Sequence, residues 1–101
     1  MRVYEMMTNS QITAIFDEIA EMLSLKKDNI FKIRAYRKVA RAIEELTEPV
    51  EKLVTDNRLH EIPGVGEAIT KKITELVTTG RLEYYDKLKK EFSGQPRTVG
   101  N

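Results

Sequence analysis

The run Ile62-Pro63-Gly64-Val65-Gly66, followed directly by a helical pattern, constrains this chain more than any other stretch. Pro63 has a fixed φ and no N–H, so it ends whatever element precedes it. Gly64 and Gly66 open backbone angles that a side chain forbids, and they let a ligand come close to the main chain. Ile69, Ile73, Leu76 and Val77 then recur at the spacing of one helix face. A glycine turn that opens a helix leaves N–H groups pointing outward at the positive end of the helix dipole. The ligand that suits such a turn is an anion, most often a phosphate. The same run would also serve as a plain tight turn between two packed helices, and the bare pattern does not separate the two.

The rest of the chain is helical in pattern. Ile12, Ile15, Phe16, Ile19, Met22 and Leu23 form an apolar stripe, with Asp17, Glu18 and Glu21 opposite and Asn9 or Ser10 as the cap. A second helix starts at Asp28 or Asn29 and ends before Pro49. Its apolar positions are Phe31, Ala35, Val39, Ala42, Ile43 and Leu46, with Ile30 and Ile33 beside them, and the pair Ala35 and Ala42 suggests close helix packing. A short helix from Val50 is interrupted at Asp56-Asn57 and leads to the glycine turn. The next helix spans Glu67–Thr79 with Gly80 as its C-terminal cap. Leu82, Tyr85, Leu88 and Phe92 mark one more helix packing back. Alternating strand patterns and repeats are missing. The fold class is therefore all-α, a compact bundle of four to five helices: residues 1–9 a flexible N-terminus, residues 10–92 the helical domain, residues 93–101 a disordered tail.

Composition excludes several classes. The chain has no cysteine and one histidine, so neither a disulfide nor a zinc site is expected. No apolar run approaches a membrane span, no signal peptide is visible, and a cytoplasmic or nucleoid-associated protein is the expectation. No cofactor is implied. Net charge is only +1, but it is segregated. Residues 26–43 sum to +6, against −3 before them and −4 over residues 44–61. That basic block is either a solvated helix face or one wall of a phosphate groove.

The run Ile62–Gly66 with its flanking helices resembles a helix-hairpin-helix motif, which binds DNA without reading its sequence. With Asn29–Ala40 before it, including Ala35-Tyr36-Arg37-Lys38, and Thr79-Gly80-Arg81-Leu82 after it, the stretch from about Ile12 to Leu88 resembles the amino-terminal lyase domain of family X DNA polymerases, the DNA polymerase beta group. The resemblance implies a domain that engages the 5′-phosphate side of gapped or nicked DNA in base excision repair. Gly64, Val65, Gly66 and Lys71 fall in the DNA-binding hairpin, and Lys32, Tyr36, Arg37 and Lys38 match basic and polar positions around the phosphate. It also implies a 5′-deoxyribose-phosphate lyase acting through a Schiff base, with Lys72 at the nucleophile's position. No side-chain metal site is implied; the hairpin backbone is a place for a monovalent cation.

The chain departs from that pattern at four positions. Phe31 stands where a histidine is common, and is read as core, with stacking on a base as the other reading. His60, Ala68 and Tyr84 stand where the family has lysines. Fewer cations would thin the phosphate pocket, so lyase activity is expected to be weak and DNA binding to survive. The carboxylate-bearing polymerase domain of the family has no room in 101 residues, so this chain by itself polymerises nothing; if it is a fragment, that domain is its partner. The alternative from another class is a non-enzymatic helical protein-interaction module.

Overall fold

The computed structural model describes residues 7–93. Helix α1 spans Asn9–Leu25, α2 Ile30–Glu44, α3 Val50–Thr55, α4 Glu67–Thr79 and α5 Glu83–Ser93, with a 3-10 turn at Leu59–Glu61. Among the described residues there is no strand, as the periodicity requires. Of the expected flexible N-terminus at residues 1–9, residues 1–6 lie outside the described residues, whereas Thr8 caps α1 and Asn9 begins it; of the expected disordered tail at residues 93–101, residues 94–101 lie outside the described residues and Ser93 closes α5.

The amphipathic stripe of α1 packs against α2. Ile12, Phe16, Ile19 and Leu23 are fully buried, and Thr13 donates its hydroxyl to the Ala40 carbonyl at 3.3 Å. The start of α1 corrects the expected cap. Thr8, not Asn9 or Ser10, accepts from the Gln11 N–H at 3.1 Å, and the Gln11 side chain accepts from the Thr8 N–H at 2.8 Å. This reciprocal box satisfies two helix-end donors at once. The Asn9 side chain, relieved of capping α1, reaches across to the chain before α3. Its amide donates to the Glu48 carbonyl and accepts from the Val50 N–H, both at 2.8 Å. Val50 opens α3, and the preceding Pro49 has no side chain with which to cap it.

In α2 the buried face is Ile33, Tyr36, Val39, Ala40 and Ile43, capped by Asn29 accepting from Phe31 and Lys32 N–H groups. The expected placement of Phe31 in the core is wrong: Phe31 is 74% exposed, and Ile30 is exposed beside it. Two overlapping stripes compete in this helix. The one holding Tyr36 buries a large aromatic ring, whereas the one through Phe31 and Ala35 offers mostly small side chains on its inner turns. The fully buried alanines are Ala20 and Ala40, while Ala35 and Ala42 are half-buried.

The break after α3 falls at Asp56-Asn57, with Asn57 in the left-handed region at φ 58°. Gly80 adopts φ 77° and closes α4 through its N–H on the Leu76 carbonyl. Leu82 and Leu88 return α5 to the core.

Candidate nucleic-acid interface

Ile62 is buried and anchors the hairpin, whose first turn closes with the Val65 N–H on the Ile62 carbonyl at 3.2 Å. Arg58 braces the approach. It holds Glu61 and Glu48 at 3.0 Å, and Asp56 at 3.5 Å. Gly64 sits at φ 87°, which an L side chain adopts only with strain, so glycine is needed there. Gly66 is extended, at φ −103° and ψ −165°, and caps α4 without a side-chain hydrogen bond. The first bond into α4 is from the Thr70 N–H to the Gly66 carbonyl at 2.9 Å. Among the described residues no acceptor meets the N–H groups of Gly64, Gly66, Glu67, Ala68 or Ile69. A β-carbon on Gly66 would touch nothing within 4 Å, so the main chain there is open to a ligand.

The basic helix lies alongside. A β-carbon on Gly64 would come 3.4 Å from Cδ of Lys38 and 3.6 Å from Val39, so the Lys38 stem runs along the hairpin. Neither Lys38 nor Arg34 meets a carboxylate among the described residues. Arg34 lies one turn before Lys38 on the same face and was not among the residues expected from sequence; only its place in the basic block pointed to it. Lys32 pairs with Asp28 at 3.7 Å, and Arg37 turns to Glu21 on α1 at 4.0 Å. Arg41 is spent on Asp17 and Glu44.

Tyr36 does not share a solvent face with Lys32. It is 6% exposed and stacks on Phe16, with centroids 5.8 Å apart, and on Tyr84, 6.2 Å apart. Burial, aided by Tyr84, pushes its hydroxyl well above the ordinary tyrosine range, so it stays a neutral donor. The stack ends on α4: Nζ of Lys72 lies 4.7 Å from the Tyr84 ring centroid, a cation–π contact.

Beyond that contact, α4 and α5 enclose a cleft of about 270 Å³. Lys71, Lys72 and Glu75 line one side, and Glu83, Tyr84 and Lys87 the other, over Leu82. Lys71 and Lys72 therefore reach one cleft, although neighbours on a helix point about 100° apart by its 3.6-residue turn. His60 and Ala68 are exposed. Among the described residues no group of three His, Asp or Glu side chains could hold a metal ion, and no helix is long and apolar enough to cross a membrane.

A row of unfilled backbone donors beside unpaired cations is a surface shaped for phosphates. In agreement, residues 7–82 match the protein family described as a helix-hairpin-helix domain.

Proposed function

Since this chain belongs to the helix-hairpin-helix domain family, we propose that it binds DNA by its phosphate backbone, at the hairpin and the adjoining face of α2. One observation carries the reading: the open N–H groups of Gly64, Gly66, Glu67, Ala68 and Ile69 belong to a hairpin whose Gly64 lies beside the Lys38 stem. Backbone donors read no base, so the contact is independent of sequence. Arg34 and Lys71 extend the positive rim.

A finer reading concerns the form of DNA. Phe31, Arg34 and Lys38 fall on one face of α2, and the helical rise puts Phe31 about 10 Å from Lys38. An exposed ring at that distance suits a base freed from its stack, which a gap supplies and a continuous duplex does not. This supports a preference for gapped DNA carrying a 5′-phosphate, as in base excision repair by a family X polymerase whose catalytic domain would be the partner. Weak lyase action fits the same reading. The Lys72 amine would attack C1′ of the opened sugar and lose water to form a Schiff base; loss of a C2′ proton with cleavage of the C3′–O bond frees the DNA strand with its 5′-phosphate, and water then hydrolyses the imine to release the sugar phosphate and the lysine. To do so it must leave the Tyr84 ring.

The second reading, a protein-interaction surface, has Leu25, Ile30 and Phe31 in its favour, all exposed at the α1–α2 corner. Fluorescence anisotropy on gapped and continuous duplexes across a salt series separates the two. DNA binding gives an affinity that falls steeply and linearly on a log–log salt plot. Absence of binding at low salt sinks the first reading.

A further inference from the structure

We propose that Arg58 is a positioning residue of the DNA interface: it meets no phosphate itself, and holds the hairpin in its binding pose through a clamp on Glu61 and Glu48. The proposal rests on the reading that the hairpin amides meet the DNA backbone. An arginine just before the hairpin looks like one more cation for DNA. Its guanidinium is already occupied. Nε and Nη2 donate to the Glu61 carboxylate at 3.1 and 3.0 Å, and Nη1 and Nη2 donate to the Glu48 carboxylate at 3.3 and 3.0 Å. Nη1 also has Asp56 at 3.5 Å. With 30% of its side chain exposed, Arg58 is the least exposed of the ion-paired cations among the described residues. Two forks of this kind fix direction as well as distance, which isolated surface pairs do not.

The clamp spans a join that the backbone leaves open. The main-chain bonds that shape the approach are local: the Glu61 N–H on the Arg58 carbonyl, the Ile62 N–H on the Leu59 carbonyl, and the Val65 N–H on the Ile62 carbonyl. Leu59 and Ile62 are buried and set how deep the segment sits, but burial carries no direction. Gly64 and Gly66 add no stiffness to the turn. Among the described residues, the only side-chain hydrogen bonds from residues 58–66 to the rest of the chain run from Arg58 to Glu48. Glu48 is itself a fixed post. Its carbonyl accepts from the Asn9 amide at 2.8 Å, which ties it to the start of α1. The route Asn9, Glu48, Arg58, Glu61 thus joins α1 to the residue before Ile62. A row of amides binds phosphate best when ordered in advance, because ordering on binding subtracts from affinity.

The test turns on sign. Glu48→Gln and Glu61→Gln each remove a negative charge near the DNA, so charge alone requires tighter binding. Loss of the clamp requires weaker binding, since a glutamine amide offers one acceptor oxygen where the carboxylate offers two. Anisotropy on a duplex at low salt should show affinity lower by about threefold to tenfold for each. Arg58→Lys keeps the charge, but one ammonium does not hold two forks, and it should lose affinity to a similar extent. Glu45→Gln makes the same charge change at the end of α2, where Glu45 has no ion pair among the described residues, and should bind as wild type or tighter. Amide hydrogen exchange at Val65 should quicken in Glu48→Gln and not in Glu45→Gln. Circular dichroism melts confirm that each variant folds. If Glu48→Gln and Arg58→Lys bind as tightly as wild type, or more tightly, the clamp is overturned and the DNA reading stands. A wild type that binds no DNA overturns both.

Discussion

Lys38 lies over Gly64: the lysine's aliphatic stem stands where a β-carbon on the glycine would meet it at 3.4 Å. The hairpin is thus laid against α2, and the basic helix and the glycine turn form one surface. Two glycines of that turn have different jobs. Gly64 is required by its backbone angle, Gly66 by the space in front of it. Gly64→Ala should cost about 1–2 kcal/mol for the left-handed angle and lower the melting temperature accordingly. At Gly66 a β-carbon meets no neighbour within 4 Å and the backbone angle suits L residues, so for Gly66→Val stability should stay within about 0.5 kcal/mol. Its affinity for DNA should nonetheless fall, because branched methyl groups would stand between phosphate and amides. Thermal melts paired with anisotropy check both, and a folded Gly66→Val that binds as wild type would remove the hairpin amides from the interface.

Arg34→Ala and Lys38→Ala should each reduce the slope of log affinity against log salt by about 0.9 if each contacts one phosphate of duplex DNA. Arg37→Ala should change the slope less, since Arg37 turns towards Glu21 on α1. Equal slopes for all three would mean a diffuse field in place of discrete contacts. Tyr36→Ala belongs to another class of effect. Removing a buried ring stacked on both sides should cost about 3–5 kcal/mol, read as a lower denaturation midpoint.

Phe31→Ala should leave the fold as stable as wild type, because most of the ring already lies in water. Base stacking contributes about 1–3 kcal/mol in single-strand complexes, so the preference for gapped over continuous duplex should drop by at least severalfold. An unaltered preference would hand Phe31 to a protein partner.

Borohydride trapping on an incised abasic substrate should give faint product with wild type and none with Lys72→Ala. Ala68→Lys places a further cation in the first turn of α4, beside the open N–H groups, and should increase trapping by holding the phosphate. Strong trapping that persists in Lys72→Ala would point to Lys71, which lines the same cleft.

Alkaline pH should loosen the contact between α1 and α5. Burial, and then the hydrogen bond that Tyr85 donates to Glu18, push the Tyr85 hydroxyl up to about 12 from 10.0. A group whose folded value is raised stabilises fully below its unfolded value and loses that contribution as pH rises through the folded one. The loss should therefore run between pH 10.0 and about 12. Melting temperature across that window should fall less for Tyr85→Phe than for wild type.

Periodicity made the helices legible, and it carried the hairpin, the break at Asp56-Asn57 and the Gly80 cap, because each depends on local backbone chemistry. It failed where two stripes share one helix. In α2 the choice between Phe31 and Tyr36 depends on which partner rings exist elsewhere, and Phe16 and Tyr84 are distant in sequence. The same limit hid the pairing of cations. Arg37 and Arg34 look alike in a basic run, yet only one faces α1 and its glutamate.

The Asn9 bridge to Glu48 and Val50 bears on the order in which the molecule assembles. Helix α3 has six residues and a proline before it, too short to persist alone, and the side chain that starts it lies 41 positions upstream. Its nucleation waits on a contact that exists only after α1 and α2 have met. The α1–α2 hairpin should then fold first, and the phosphate-facing turn should condense onto it. A peptide cut to the two helices around the glycines would lack its starter and remain a fluctuating coil, whatever its sequence promises.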